Sequence, residues 1–106
     1  MKKLTVSEGE KVLANWSQDD FWYVALIREI DEKFLYLLYD DGTHETVTID
    51  RIKPLKIYEG MEIEGRWLGK ETYFSGTVLK VKGEAVRIGY TTGEKEWLSF
   101  SMIRIV

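Results

Sequence analysis

Cysteine is absent from this chain of 106 residues, and histidine and proline each occur once. Without a thiol there can be no disulfide, no thiolate metal site and no cysteine nucleophile. The lone imidazole, His44, has no second imidazole to help complete a transition-metal site, so it is expected at the surface. Asp40, Asp41 and Glu45 do not have the regular oxygen-bearing spacing of a calcium loop. No serine or threonine sits in a nucleophile elbow, and the glycine-bearing turns lack the spacing of a phosphate loop. The chain is therefore read as a non-enzyme that needs no cofactor and no metal.

Long apolar runs are missing too. The longest, Phe34 to Tyr39, is far too short to span a bilayer. Lys2 and Lys3 are followed by no apolar stretch of the kind a leader has. The expectation is a soluble intracellular protein without a membrane partner, cytoplasmic or nuclear according to its organism. A basic field is also lacking: the formal net charge is -3. Between Gly9 and Pro54 the acids Glu10, Asp19, Asp20, Glu29, Asp31, Glu32, Asp40, Asp41, Glu45 and Asp50 face only Lys11, Arg28, Lys33, Arg51 and Lys53. That balance disfavours nucleic acid as the main partner and favours a cationic one.

What the chain does have is apolar content, 44% in all with 13% aromatic, far from the profile of a disordered protein. It is also written twice. Setting Gly9 on Gly60 brings Trp16 onto Trp67, Tyr39 onto Tyr90, Gly42 onto Gly93, Glu45 onto Glu96 and Ile52 onto Ile103 without a gap. Tyr23 then meets Phe74, Ala25 meets Gly76, and Leu37 meets Ile88. Matches spread over a whole unit mean a duplicated fold. The duplication divides the chain into residues 1–54, with a short N-terminal segment, and 55–106, with a linker at 55–59. Units of about 50 residues lie near the lower limit for folding alone.

No stretch holds a helical period for three turns, so both units read as β. In the first, strands are expected at 11–16, 22–30, 34–40 and 44–48, with one turn at 49–51 before a short strand at 52–54. The second repeats them at 61–67, 73–82, 84–90, 95–98 and 103–105. Asp40-Asp41-Gly42 and Thr91-Thr92-Gly93 supply glycine where a hairpin turn needs positive φ. Five short strands with a turn before the last make an SH3-like barrel, so the fold class is all-β, two such barrels in tandem. Alternation points Leu35, Leu37 and Tyr39, and likewise Val86, Ile88 and Tyr90, into the barrels. It leaves Trp22, Val24, Leu26, Tyr36 and Leu38 on the outer face of the first unit. A patch that large is expected to be covered, by the Leu4 to Val6 segment, the linker, the second unit or a second copy of the chain.

The segments Val12 to Ala25 and Leu38 to Glu45, with the closing Val47 to Pro54, resemble the Tudor family and its Agenet and Spindlin-like relatives. The signature lies in the tryptophan ending the first strand, the Trp22-Tyr23 pair opening the second, and the Tyr39-Asp40-Asp41-Gly42 turn. It covers the first unit and, more loosely, the second. The resemblance implies five-stranded barrels that bind methylated lysine or arginine in an aromatic cage, with cage positions on Trp16, Tyr23, Tyr39 and Asp41. A methylated ammonium keeps its charge and sheds water easily, so ring faces and a carboxylate suit it. The turn after Tyr39 has no further aromatic, which implies a three-sided cage.

Trp67, Phe74 and Tyr90 form a second candidate cage, but there a lysine stands where the first unit has an acid. Trp16 and Trp67 could instead cap the barrel cores. Two other readings stay open. One is an assembly module, with a homodimer as one form, acting through Trp22, Val24, Leu26, Tyr36 and Leu38. The other is nucleic-acid binding by Lys70, Lys80, Lys82 and Arg87 of the second unit.

Overall fold

The computed structural model describes residues 6–106. They divide into two compact units that part between Leu55 and Lys56. The first contains β1 (Lys11–Asn15), β2 (Trp22–Asp31), β3 (Phe34–Tyr39) and β4 (His44–Thr48), then a single 3-10 turn at Ile49–Arg51 and β5 (Ile52–Pro54). Its strands pair antiparallel in the order β4-β3-β2-β1-β5. The second contains β6 (Glu62–Arg66), β7 (Tyr73–Lys82), β8 (Ala85–Tyr90), β9 (Lys95–Ser99) and β10 (Ile103–Arg104), in the equivalent order β10-β6-β7-β8-β9. The expected all-β plan of two five-stranded repeats is what the structure has.

Each unit owes its curl to one long strand. β2 pairs Ile27 with Leu37 and then Glu29 with Tyr36, leaving Arg28 as an extra residue. Such a bulge bends the strand and increases its twist. Here it keeps both Ile27 and Ile30 against the core of the first unit, beside Val12, Ala14, Leu35, Leu37 and Tyr39. β7 is interrupted at the matching place, between Val78 and Lys80. Ile27, Leu37, Val78 and Ile88 are almost wholly buried, each such side chain contributing about 1.5–3 kcal/mol. Leu35, Leu37 and Tyr39 point inward as alternation requires, as do Val86, Ile88 and Tyr90.

The hairpin joining β3 to β4 closes with the Gly42 amide donating to the Tyr39 carbonyl at 3.0 Å, and Gly42 has φ of 91°. Gly93 repeats this on Tyr90. A side chain at either position would be strained.

The structure differs from the sequence reading in detail. β1 stops at Asn15, because the Trp16 carbonyl accepts from the Asp20 amide at 3.0 Å while the Phe21 amide donates to Asp19 Oδ1, so the next rung of the ladder is only half made. Trp67 does not end a strand but opens a 3-10 turn, Trp67–Gly69, in which Leu68 has φ of 54°. The outer face of the first unit is less open than alternation alone suggests. Val24 pairs with Leu13, and both are buried, at 6% and 2% exposure. The Lys53 ammonium lies 4.2 Å from the Trp22 ring centroid. Leu26 and Leu38 are half-buried, and Tyr36 is exposed. Val6 packs against the barrel core of the first unit, and Leu4 lies outside the described residues.

Candidate aromatic cage

Three elements of the first unit bring rings together. Trp16 follows β1 and opens the β1–β2 loop. That loop is closed by the Phe21 carbonyl on the Trp16 amide, by the Asp20 amide on the Trp16 carbonyl at 3.0 Å, and by Asn15 Nδ2 donating to the Asp20 carbonyl at 2.7 Å. Arg51 braces the end of β1, its Nη2 donating to the Asn15 carbonyl at 2.7 Å. Tyr23 lies on β2, on the same face as Ala25, and Ala25 pairs with Tyr39 at the end of β3. The small side chain at position 25 leaves room for both tyrosines.

The Trp16 and Tyr23 ring centroids are 5.9 Å apart with planes at 88°. Tyr23 and Tyr39 are 6.5 Å apart at 89°. Both arrangements are the T-shaped packing that aromatic quadrupoles favour. Trp16 and Tyr23 are half-buried, whereas Tyr39 is only 7% exposed and belongs to the core. The structure thus joins the two readings: Tyr39 is a core residue, and the two rings packed against that core retain exposed surface.

The acids at these rings are Asp19 and Glu45. Tyr23 Oη donates to Asp19 Oδ2 at 2.6 Å, and the Phe21 amide donates to Asp19 Oδ1 at 2.9 Å. Tyr39 Oη donates to Glu45 Oε1 at 3.0 Å, and Ser17 Oγ donates to Glu45 Oε2 at 2.9 Å. Burial, with the Glu45 carboxylate second, pushes the Tyr39 phenol well above its ordinary value. Asp41, the acid that the family resemblance points to, is exposed and turned into its own hairpin. Its Oδ1 accepts from the Thr43 amide at 2.9 Å and from Thr43 Oγ1 at 2.6 Å, and these bonds hold its carboxyl below the usual range. The repeat did carry a signal for Glu45, which falls on Glu96. Asp19 had only its place in an acidic loop.

The second unit keeps the frame and changes the chemistry. Trp67 and Phe74 stand 6.1 Å apart at 89°, and Tyr90 Oη donates to Glu96 Oε2 at 2.5 Å. Phe74 has no hydroxyl to tie to a loop acid, and Lys70 replaces Asp19. The Lys70 ammonium lies 5.6 Å from the Trp67 ring centroid. Arg66 fixes that loop, its Nε donating to the Lys70 carbonyl at 2.8 Å. Among the described residues no group of three or more His, Cys, Asp or Glu could hold a metal ion, and no helix is long and apolar enough to cross a membrane.

No family model matches the chain. In sequence it is 38% identical over 48 residues to Tudor domain-containing protein 1 of Mus musculus, a match that takes in 44% of this chain and 4% of that protein. In structure it is similar to the Crb2 tandem tudor domains, with a TM-score of 0.67 at 19% identity over 99% of this chain and 83% of that one. A looser likeness joins it to the ADCP1 tandem Agenet domain 3-4, with a TM-score of 0.46 at 19% identity over 94% and 79% of the two chains. The fold is that of tandem Tudor domains.

Proposed function

We propose that the first unit recognises a cationic protein side chain, a methylated lysine or arginine, held against Trp16 and Tyr23 with Tyr39 behind them. The observation that carries this reading is the pair of carboxylates, Asp19 and Glu45, hydrogen-bonded to the phenols of Tyr23 and Tyr39 beside exposed ring surface. Tudor-type tandem domains are generally reader modules for methylated residues, and generally non-enzymatic. An alkylated ammonium against two rings gains about 0.5–2 kcal/mol from each. A nearby carboxylate adds about 1 kcal/mol where the dielectric is close to that of water. The sum, about 2–5 kcal/mol, corresponds at best to weak binding, from tens of millimolar to a few tenths of a millimolar before the cost of immobilising the ligand, so neighbouring residues of a peptide must supply the rest of any tighter affinity.

The second unit is proposed as a structural partner of the first, since its own lysine already lies over Trp67. The test is calorimetry with peptides carrying methylated lysine or dimethylarginine, on the native chain and on Trp16→Ala. Binding that disappears in a variant with unchanged far-UV circular dichroism supports the cage. A native chain that binds none of them removes it.

An assembly role through the outer face is the competing reading. Val24 is already buried and Trp22 carries Lys53, which leaves Leu26, Tyr36 and Leu38 for a partner. A stable dimer in sedimentation would favour it. Nucleic-acid binding through Lys70, Lys80, Lys82 and Arg87 would show instead as steep salt dependence.

A further inference from the structure

Glu45 stands on β4, a strand that carries none of the three rings, yet its carboxylate reaches both sides of the cage. One oxygen accepts from the hydroxyl of Tyr39, the other from the hydroxyl of Ser17, the residue directly after Trp16. We propose that Glu45 is a positioning residue that latches the Trp16-bearing loop to the buried tyrosine and so sets the ring against which a cation stacks. The proposal rests on the reading of the first unit as a cation cage, and it adds a residue that acts through others without touching the ligand.

The parts of the latch differ in mobility. Tyr39 is almost wholly buried in the core, and so is a fixed post. Ser17 is exposed, on a loop whose other described bonds at Trp16 run to Asp19, Asp20 and Phe21 within the loop. Ser17 to Glu45 joins that loop to a strand far along the chain. Hydrogen bonds to a carboxylate are stronger than neutral ones, so this one holds an exposed loop better than a hydroxyl pair would.

The second unit repeats the device with a different atom at the loop. Glu96 accepts from the Tyr90 hydroxyl at 2.5 Å and from the Leu68 amide at 3.0 Å, and Leu68 is the residue directly after Trp67. The duplication has kept the tyrosine, the glutamate and the place on the loop, while a backbone donor in one unit stands for a side-chain donor in the other. A bond that served only to satisfy the phenol would not need the second arm in both.

Position and charge are separable by substitution. In Glu45→Gln the amide oxygen still accepts from Tyr39 and the amide nitrogen can donate to Ser17 Oγ, so the latch survives while the charge is lost. Glu45→Ala loses both, and Ser17→Ala loses only the loop arm at an exposed site where folding is not at stake.

The experiment follows the indole N–H signals of 15N-labelled variants of the 106-residue chain, first without ligand and then with dimethyllysine. The latch predicts that Ser17→Ala and Glu45→Ala move the Trp16 signal and leave that of Trp67 in place. It also predicts that both weaken dimethyllysine binding about tenfold, whereas Glu45→Gln keeps the Trp16 signal and loses about threefold or less. A Trp16 signal unmoved in Ser17→Ala and Glu45→Ala would overturn the latch, as would a Gln variant that binds as poorly as the Ala variant. If the native chain shows no shift with ligand, the cage reading fails, while the ligand-free spectra still decide the latch.

Discussion

Lys70 holds its ammonium 5.6 Å from the centroid of the Trp67 ring, at the place in the repeat where the first unit has Asp19. In one unit the loop residue accepts a hydrogen bond from a tyrosine beside the tryptophan. In the other it is itself a cation on the tryptophan's face. Two copies of one frame have opposite charge at this loop position, an acid in the first and a cation in the second.

Lys70→Ala should uncover Trp67 at little cost to the fold. An exposed cation–π contact is worth about 0.5–1 kcal/mol, so urea denaturation should show a loss no larger than that. The Trp67 indole signal should move while that of Trp16 stays. A Trp67 signal that does not respond would mean that the lysine does not rest there in solution.

Asp19→Asn and Asp41→Asn separate the acid at the ring from the acid in the turn. Asp19 accepts from Tyr23 and Phe21, and removing its charge should weaken a methylated ligand about fivefold, or about 1 kcal/mol, more at low salt than at high. Asp41 is engaged by Thr43, and its variant should bind within about twofold of the native chain. Calorimetry at two salt concentrations checks the order, and a larger loss for Asp41→Asn would reverse the assignment.

Alkaline pH should find the two buried tyrosines. The phenols of Tyr39 and Tyr90 are both held above the ordinary value of 10.0, by burial first and then by their glutamates. A raised folded value means that the native state keeps protons the unfolded chain releases. The resulting stability is complete below about pH 10 and drains away as pH rises toward the folded values. Of the six tyrosines, Tyr39 and Tyr90 should stay protonated in an absorbance titration until the chain unfolds. Simultaneous ionisation of all of them near pH 10 with native circular dichroism would contradict this.

Gly76→Ala should be more harmful than Gly65→Ala, although alanines at positions 25 and 14 are tolerated in the first unit. A Cβ at position 76 would lie 2.7 Å from the Gly89 carbonyl oxygen, which is backbone. One at position 65 would meet Leu98 Cδ1 at 2.7 Å, the end of a side chain that can turn away. Overpacking of the first kind costs about 1–3 kcal/mol, and the second should cost less. Equal losses in urea denaturation would show that β8 gives way as readily as a leucine.

Much of the fold was legible because the duplication doubled every signal. Alternation fixed which way Leu37, Tyr39, Ile88 and Tyr90 point, and Gly42 and Gly93 marked the same hairpin twice. Alternation assigns a face but not its cover: it puts Val24 outside the first barrel and gives no sign of its burial beside Leu13. That Trp16, Tyr23 and Tyr39 come together was legible as residue types at strand ends. Their acids were legible only in part: the repeat marks Glu45 through Glu96, but a carboxylate's partner depends on its rotamer. Asp41 bonds a threonine two residues on, while Glu45 reaches across the sheet to Ser17 and Tyr39. The 3-10 turn at Trp67–Gly69 rests on positive φ at Leu68, a residue type that gives no hint of it.

The central claim is that the first unit, and not the second, offers a working face to a cation. The most direct measurement is a titration of the labelled chain with mono-, di- and trimethyllysine and dimethylarginine, observed at the indole signals of all four tryptophans. Saturable shifts at Trp16 with Trp67 unmoved are the expected result. Shifts at Trp67 alone, or at neither tryptophan with ligand in the millimolar range, would contradict it.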